Sequence, residues 1–180
     1  MKDEVYLSDN PDEFLKQNRG ALEKALKKKE KAAEKILSDD DKITKLLNKM
    51  EKILLVIKKV LAPTARIPII NNAYQIIDDI PKLIWLVRDY KNKLYKDIPY
   101  ASIIFIIAAF IYTVSPIDLI PDAIPIVGWI DDIGVFAIVL GVVSDDLADY
   151  WQWHQEIGIQ YYKVANDDYY EEYEESIDEE

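Results

Sequence analysis

Residues 98–114 read IPYASIIFIIAAFIYTV, and residues 115–132 continue SPIDLIPDAIPIVGWIDD. The first run is seventeen residues without a charge. The second is a turn dense in Pro and Asp, and out of it a new apolar stretch runs from Ile124 to Val143. An apolar run of this length, without the strict alternation of a half-buried strand, reads as a helix that is apolar on all sides. Two such helices joined by a turn in which proline forbids continuous helix make a helical hairpin.

The turn carries its own chemistry. Ser115 is a good helix N-cap, Pro116 suits the first helical position, and Asp118 falls where an acid reaches back to the cap. Pro121 and Pro125 stop a single helix from running through, Asp122 can accept backbone N–H groups, and Gly128 lets the next helix start close to its neighbour. Asp118, Asp122, Asp131 and Asp132 therefore have two readings. They cap helices and accept backbone hydrogen bonds, the reading preferred here, or they form a carboxylate cluster for a divalent cation or a proton, since hard cations take oxygen ligands.

A bilayer core needs about 20 apolar residues in a helix, and seventeen lies at that threshold. The nine Leu, Ile, Phe and Val residues from Ile98 to Val114 are worth about −3 to −5 kcal/mol on an insertion scale. The twelve between Ile124 and Val143 give about −4 to −7 kcal/mol, which Asp131 and Asp132 nearly cancel at about 5 to 7 kcal/mol. Tyr100, Tyr112, Trp151 and Trp153 suit an interface, and the bases before Ile98 suit its cytoplasmic side. The alternative is a bundle in which the same hairpin is the core.

Outward toward the N-terminus, Leu22, Leu26, Lys29, Ala33, Ile36, Asp40, Ile43, Leu47, Met50, Leu54, Ile57 and Leu61 recur at alternating four and three. This is a heptad seam, interrupted by Lys29 and by Asp40. Asp40 stands in Ser38-Asp39-Asp40-Asp41, a cluster that caps new helices better than it continues old ones. Two amphipathic helices follow, about 12–37 and 41–62. Their seam faces a protein partner or a second copy, or folds back on the rest of the chain. Pro63 and Pro68 mark a break; Ile69, Ile70, Ala73, Ile76, Ile77 and Ile80 fill one helical face up to Pro81, where that helix is expected to end and a second, 81–96, to begin.

Composition narrows the functional classes. The chain has 180 residues, a net charge of −11, no Cys and a single His, so no thiolate zinc site, thiol nucleophile or His-based metal cluster can be built. Residues 1–96 hold 21 bases against 15 acids, and residues 97–180 one base against 18 acids, a balance that argues against nucleic acid. No apolar run precedes residue 53, so no signal peptide is expected and synthesis starts in the cytoplasm. His154 has no Ser and Asp in triad spacing and reads as an interfacial or partly buried residue.

The segment from Tyr112 to Asp132, with Ser115-Pro116-Ile117-Asp118-Leu119-Ile120-Pro121-Asp122 followed by Ile124-Pro125, Gly128 and Asp131-Asp132, resembles the signature of the YkvA-like family, small bacterial domains of unknown function. The resemblance spans roughly residues 80–145. It implies a membrane-associated helical hairpin around a proline-rich turn, and it offers no enzymatic activity to carry over.

The chain is thus expected to be all-α. A polar start (1–11) leads to the amphipathic heptad helices (12–62), linking helices (63–97) and the apolar hairpin (98–149). An aromatic segment (150–165) and an acidic, disordered tail (166–180) complete it. The functional expectation is a non-enzymatic, membrane-associated scaffold or accessory protein with its hairpin as transmembrane helices in the bilayer, its heptad helices and both termini in the cytoplasm, and no cofactor. The alternatives are a soluble helical interaction module and, more remotely, a cation-dependent protein using the four aspartates.

Overall fold

The computed structural model describes residues 11–61, 71–114 and 125–160, with side chains described for 19–59, 75–114 and 134–160. All the elements are helical: α1 (Pro11–Leu37), α2 (Asp40–Leu61), α3 (Asn71–Lys91), α4 (Tyr100–Val114) and α5 (Pro125–Trp153), the last continued by a π-helical turn, His154–Gly158. Among the described residues there is no strand, as the apolar periodicities require.

The break between α1 and α2 falls in the acidic cluster. Asp39 supplies the cap: its Oδ1 accepts the Lys42 N–H at 3.1 Å, and its carbonyl accepts the Ile43 N–H at 3.0 Å. Ser38 closes the preceding helix by donating its hydroxyl to the Lys35 carbonyl. Lys42 holds the Asp39 carboxyl below the usual carboxylate range, chiefly by a side-chain hydrogen bond.

The heptad seam is buried, with Leu22, Leu26, Ala33, Ile43, Leu47, Met50, Leu54 and Ile57 all in the core, whereas Lys29 is half-buried and Asp40 exposed. The partner of the seam is the same chain: α1 packs principally on α4, and α2 on α3 and α4. Thr44–Lys91, Glu51–Arg88 and Lys58–Asp78 join α2 to α3 at 3.0, 2.5 and 3.5 Å, and their order makes the two helices antiparallel.

Pro81 does not end a helix. It lies inside α3, which runs on to Lys91. A proline there removes the bond to the Ile77 carbonyl and costs about 3 kcal/mol. Burial of Ile77, Ile80, Leu83, Ile84, Trp85, Leu86 and Val87 on both sides of it offsets that cost. The helix ends instead at Lys91, and the chain turns away at Lys93, whose φ is 63°. The Leu94 N–H reaches the Asp89 carbonyl (2.9 Å) and the Lys93 N–H the Tyr90 carbonyl (3.1 Å), the pairing of a Schellman cap.

α4 is the centre of the bundle. From Ile106 to Ile111 every residue is buried, which covers the full circumference of a helix. Its neighbours are α1, α2, α3 and α5. Its 15 residues rise about 22 Å against the ~30 Å of a bilayer core. No helix among the described residues is long and apolar enough to cross a membrane. α4 and α5 form the expected hairpin: Ser102 bonds Asp146 at 2.6 Å and Phe110 meets Phe136 at 6.1 Å, an antiparallel register.

Candidate functional site: a buried aspartate, tyrosine and histidine

The residues singled out in the turn lie largely beyond view. Ser115, Pro116, Asp118, Pro121 and Asp122 are outside the described residues, as is the acidic tail 166–180. Pro125 opens α5, a position that suits proline, and Gly128, Asp131 and Asp132 follow within that helix, their side chains outside the description. Among the described residues no acids or histidines gather as a metal site would require.

The polar group that the fold does assemble joins α3 to the end of α5. Asp89 and Tyr150 are fully buried and His154 is 2% exposed. The Tyr150 hydroxyl donates to Asp89 Oδ2 at 2.7 Å. His154 Nδ1 lies 3.2 Å from the same phenol oxygen and 3.4 Å from Asp89 Oδ2. Because the phenol's one hydrogen goes to the carboxylate, the histidine contact needs a proton on Nδ1. Burying a carboxylate without donors costs several kcal/mol, so the pairing holds α3 and α5 together at this point.

Local sequence prepares this arrangement. Tyr150 and His154 are four residues apart on one helical face. Asp89 follows Trp85 by four and Leu86 by three, on a buried face of α3, and its carbonyl is already held by the Schellman cap. An aromatic shell completes the site: Trp151 stacks on His154 at 5.1 Å and 17°, Trp85 lies 5.5 Å from it, and Tyr95 meets Tyr150 edge-on at 5.1 Å. Arg88 sits over Trp85 and Lys82 over Trp151, at 4.9 and 5.3 Å.

The π-helical turn depends on Gly158. A Cβ there would stand 2.8 Å from His154 Nδ1 and 3.3 Å from its Cγ, so only glycine lets the backbone pass this close to the ring. Tyr95 donates to the Asp97 carbonyl at 3.2 Å, and its phenol is pushed above the ordinary tyrosine value by burial and then by the carboxylates of Asp149, Asp97 and Asp146.

Outside this cluster, a groove of about 450 Å³ runs between α3 and α5, with Leu140, Leu147 and Trp151 on its apolar side and Asp79, Lys82 and Gln155 at its rim. Trp151 is the wall between the groove and His154. Asp89, Tyr150 and His154 are buried and do not themselves line the groove; their hydrogen bonds pin α3 to the end of α5.

The match to a known family falls on the hairpin. The family described as "Protein of unknown function (DUF1232)" matches residues 102–138, which run from the first turn of α4 through the Pro/Asp turn into α5. The chain is 30% identical over 83 residues to the "Uncharacterized membrane protein YkvA" of Bacillus subtilis, covering 46% of this chain and 78% of that protein. The chain belongs to the YkvA-like family. No solved structure matches it. The family carries no assigned activity, and Asp89, Tyr150 and His154 lie outside the residues matched by the family model.

Sequence reasoning placed His154 at an interface or in partial burial; it is in the core. Asp89 and Tyr150 were missed because they are 61 residues apart and meet only in the folded bundle. The available signal was a carboxylate at an apolar position of α3 and a Tyr–His pair at helical spacing.

Proposed function

We propose that the chain is a non-enzymatic helical scaffold or accessory protein that attaches to a membrane by the outside of its bundle, with both termini on the cytoplasmic side. The observation that carries this reading is the enclosure of α4: from Ile106 to Ile111 the apolar helix of the hairpin is covered on every side by the chain itself, leaving the outer surface for contact. The membrane is supported by the Bacillus subtilis relative, named a membrane protein, over most of its length. The non-enzymatic character is supported by the sealing of Asp89, Tyr150 and His154 away from the groove beside them.

Cell fractionation with an alkaline carbonate wash tests the reading. The protein is expected in the membrane fraction and is expected to leave it on washing. Retention until detergent is added would place the hairpin in the bilayer. Recovery wholly in the soluble fraction would leave the interaction module whose hairpin is its core.

A further inference from the structure

We infer that the outer face of α1 and α2 is a docking surface for an anionic lipid bilayer, with Leu55 and Val56 as its apolar contact. The inference rests on the membrane attachment proposed above and says which surface makes it.

On α1 the exposed Lys28, Lys31 and Lys35 each stand two positions after a member of the seam, the buried Leu26, the half-buried Lys29 and the buried Ala33, and Lys24 likewise follows the buried Leu22. On α2 the exposed Lys45, Lys52 and Lys59 stand two positions after the buried Ile43, Met50 and Ile57. Two residues turn a helix by about 200°, so both lysine rows point away from the core. On α2 the row repeats every seven residues and forms a line along the helix. From Lys24 to Lys59 the sequence holds twelve lysines against six acids, a local excess of positive charge in a chain whose net charge is −11. Of those acids, Glu51 pairs with Arg88 and Asp39 with Lys42. A basic patch acts within a Debye length of about 8–10 Å, so distant acids do not cancel it at contact.

The second observation separates a bilayer from other acidic partners. Leu55 and Val56 are 59% and 54% exposed. They lie within one helical turn of Lys52 and Lys59. Large apolar side chains have no complement on a phosphodiester backbone, but next to lysines they suit the boundary between headgroups and acyl chains, where an amphipathic helix settles. Each Lys near an anionic surface strengthens attachment appreciably, and several acting together give binding that salt weakens.

The test is cosedimentation of the full chain with phosphatidylglycerol-containing vesicles and with pure phosphatidylcholine vesicles, over a range of NaCl. Wild type should pellet with the anionic vesicles only, and less as salt rises. The triple variant Lys45→Glu, Lys52→Glu, Lys59→Glu should lose more than about tenfold in partitioning. Leu55→Ser with Val56→Ser should lose severalfold while keeping the salt dependence. All five positions are exposed, and unchanged circular dichroism verifies the folds. If wild type binds anionic vesicles and both variants bind equally well, this face is refuted while membrane attachment stands. Binding to neutral vesicles as tightly, without salt sensitivity, refutes the electrostatic docking in the same way. No binding to any vesicle by a protein that fractionates with membranes also overturns the face; absence from the membrane fraction overturns the proposed function itself.

Discussion

Replacing Tyr150 with Phe removes one oxygen and nothing else from the interior. The ring keeps its edge-on contact with Tyr95 at 5.1 Å, so no cavity opens. What disappears is the hydroxyl that donates to Asp89 Oδ2 at 2.7 Å and accepts from His154 at 3.2 Å. A hydrogen bond to a carboxylate is worth about 1.5–3 kcal/mol net, and the larger part of that range applies here because Asp89 is fully buried and water cannot replace the lost donor. For a chain of this size about 2 kcal/mol lowers Tm by roughly 4–8 °C. Thermal melting followed by circular dichroism, with urea unfolding for the free energy, measures it; Tyr100→Phe, at a position 52% exposed, is the control and should melt as wild type. A double-mutant cycle with Asp89→Asn should show coupling of about 1 kcal/mol or more. If Tyr150→Phe melts within about a degree of wild type, or the two substitutions are additive, the pin between α3 and α5 does not contribute as argued.

Gly158→Ala should destabilise by about 1–3 kcal/mol and disturb the near-ultraviolet signal of Trp85 and Trp151, both of which contact His154, because the new methyl group meets a stacked imidazole that cannot swing aside. Lys93→Gly should stabilise by about 0.5–1 kcal/mol in urea unfolding, since a β-carbon at φ 63° is strained and glycine is not. Leu47→Asp should cost several kcal/mol in thermal melting, as it puts a carboxylate where a side chain 2% exposed packs; an unchanged melt would mean that this position faces water. For Tyr95, the folded protein favours the neutral phenol, so that contribution is complete below pH ~10 and is lost as pH rises through the raised folded value. Melting temperature plotted against alkaline pH should therefore fall less steeply in Tyr95→Phe than in wild type.

Much of the fold was legible because its causes are local. The four-three spacing from Leu22 to Ile57 gave both amphipathic helices and their buried face, and the acids at 39–41 gave the break between them. Pro81 misled because the local cost of a proline is readable from sequence, whereas the burial of Trp85, Leu86 and Val87 that offsets it belongs to the assembled bundle. The hairpin was legible as two apolar helices, but its surroundings were not: the same seventeen residues satisfy a bilayer or a protein core, and only the packing of α1 and α2 on α4 distinguishes them. The buried trio was the least legible part. Asp89 sits between Arg88 and Tyr90 in a segment that reads as a basic helix end, and no local pattern announces a partner on α5.

The covering of α4 by helices that precede it in the chain sets an order of events during synthesis. Translation delivers α1 and α2 first, at about 5–20 residues per second. When residues 98–114 emerge from the ribosome, three of the four helices that will enclose them, α1, α2 and α3, are already outside, and α5 follows. The nine Leu, Ile, Phe and Val residues of that run, worth about −3 to −5 kcal/mol on an insertion scale, stay exposed until that enclosure forms. The N-terminal pair is thus a cover made in advance: without it, the apolar residues of α4 would meet water with only α3 beside them until α5 arrived.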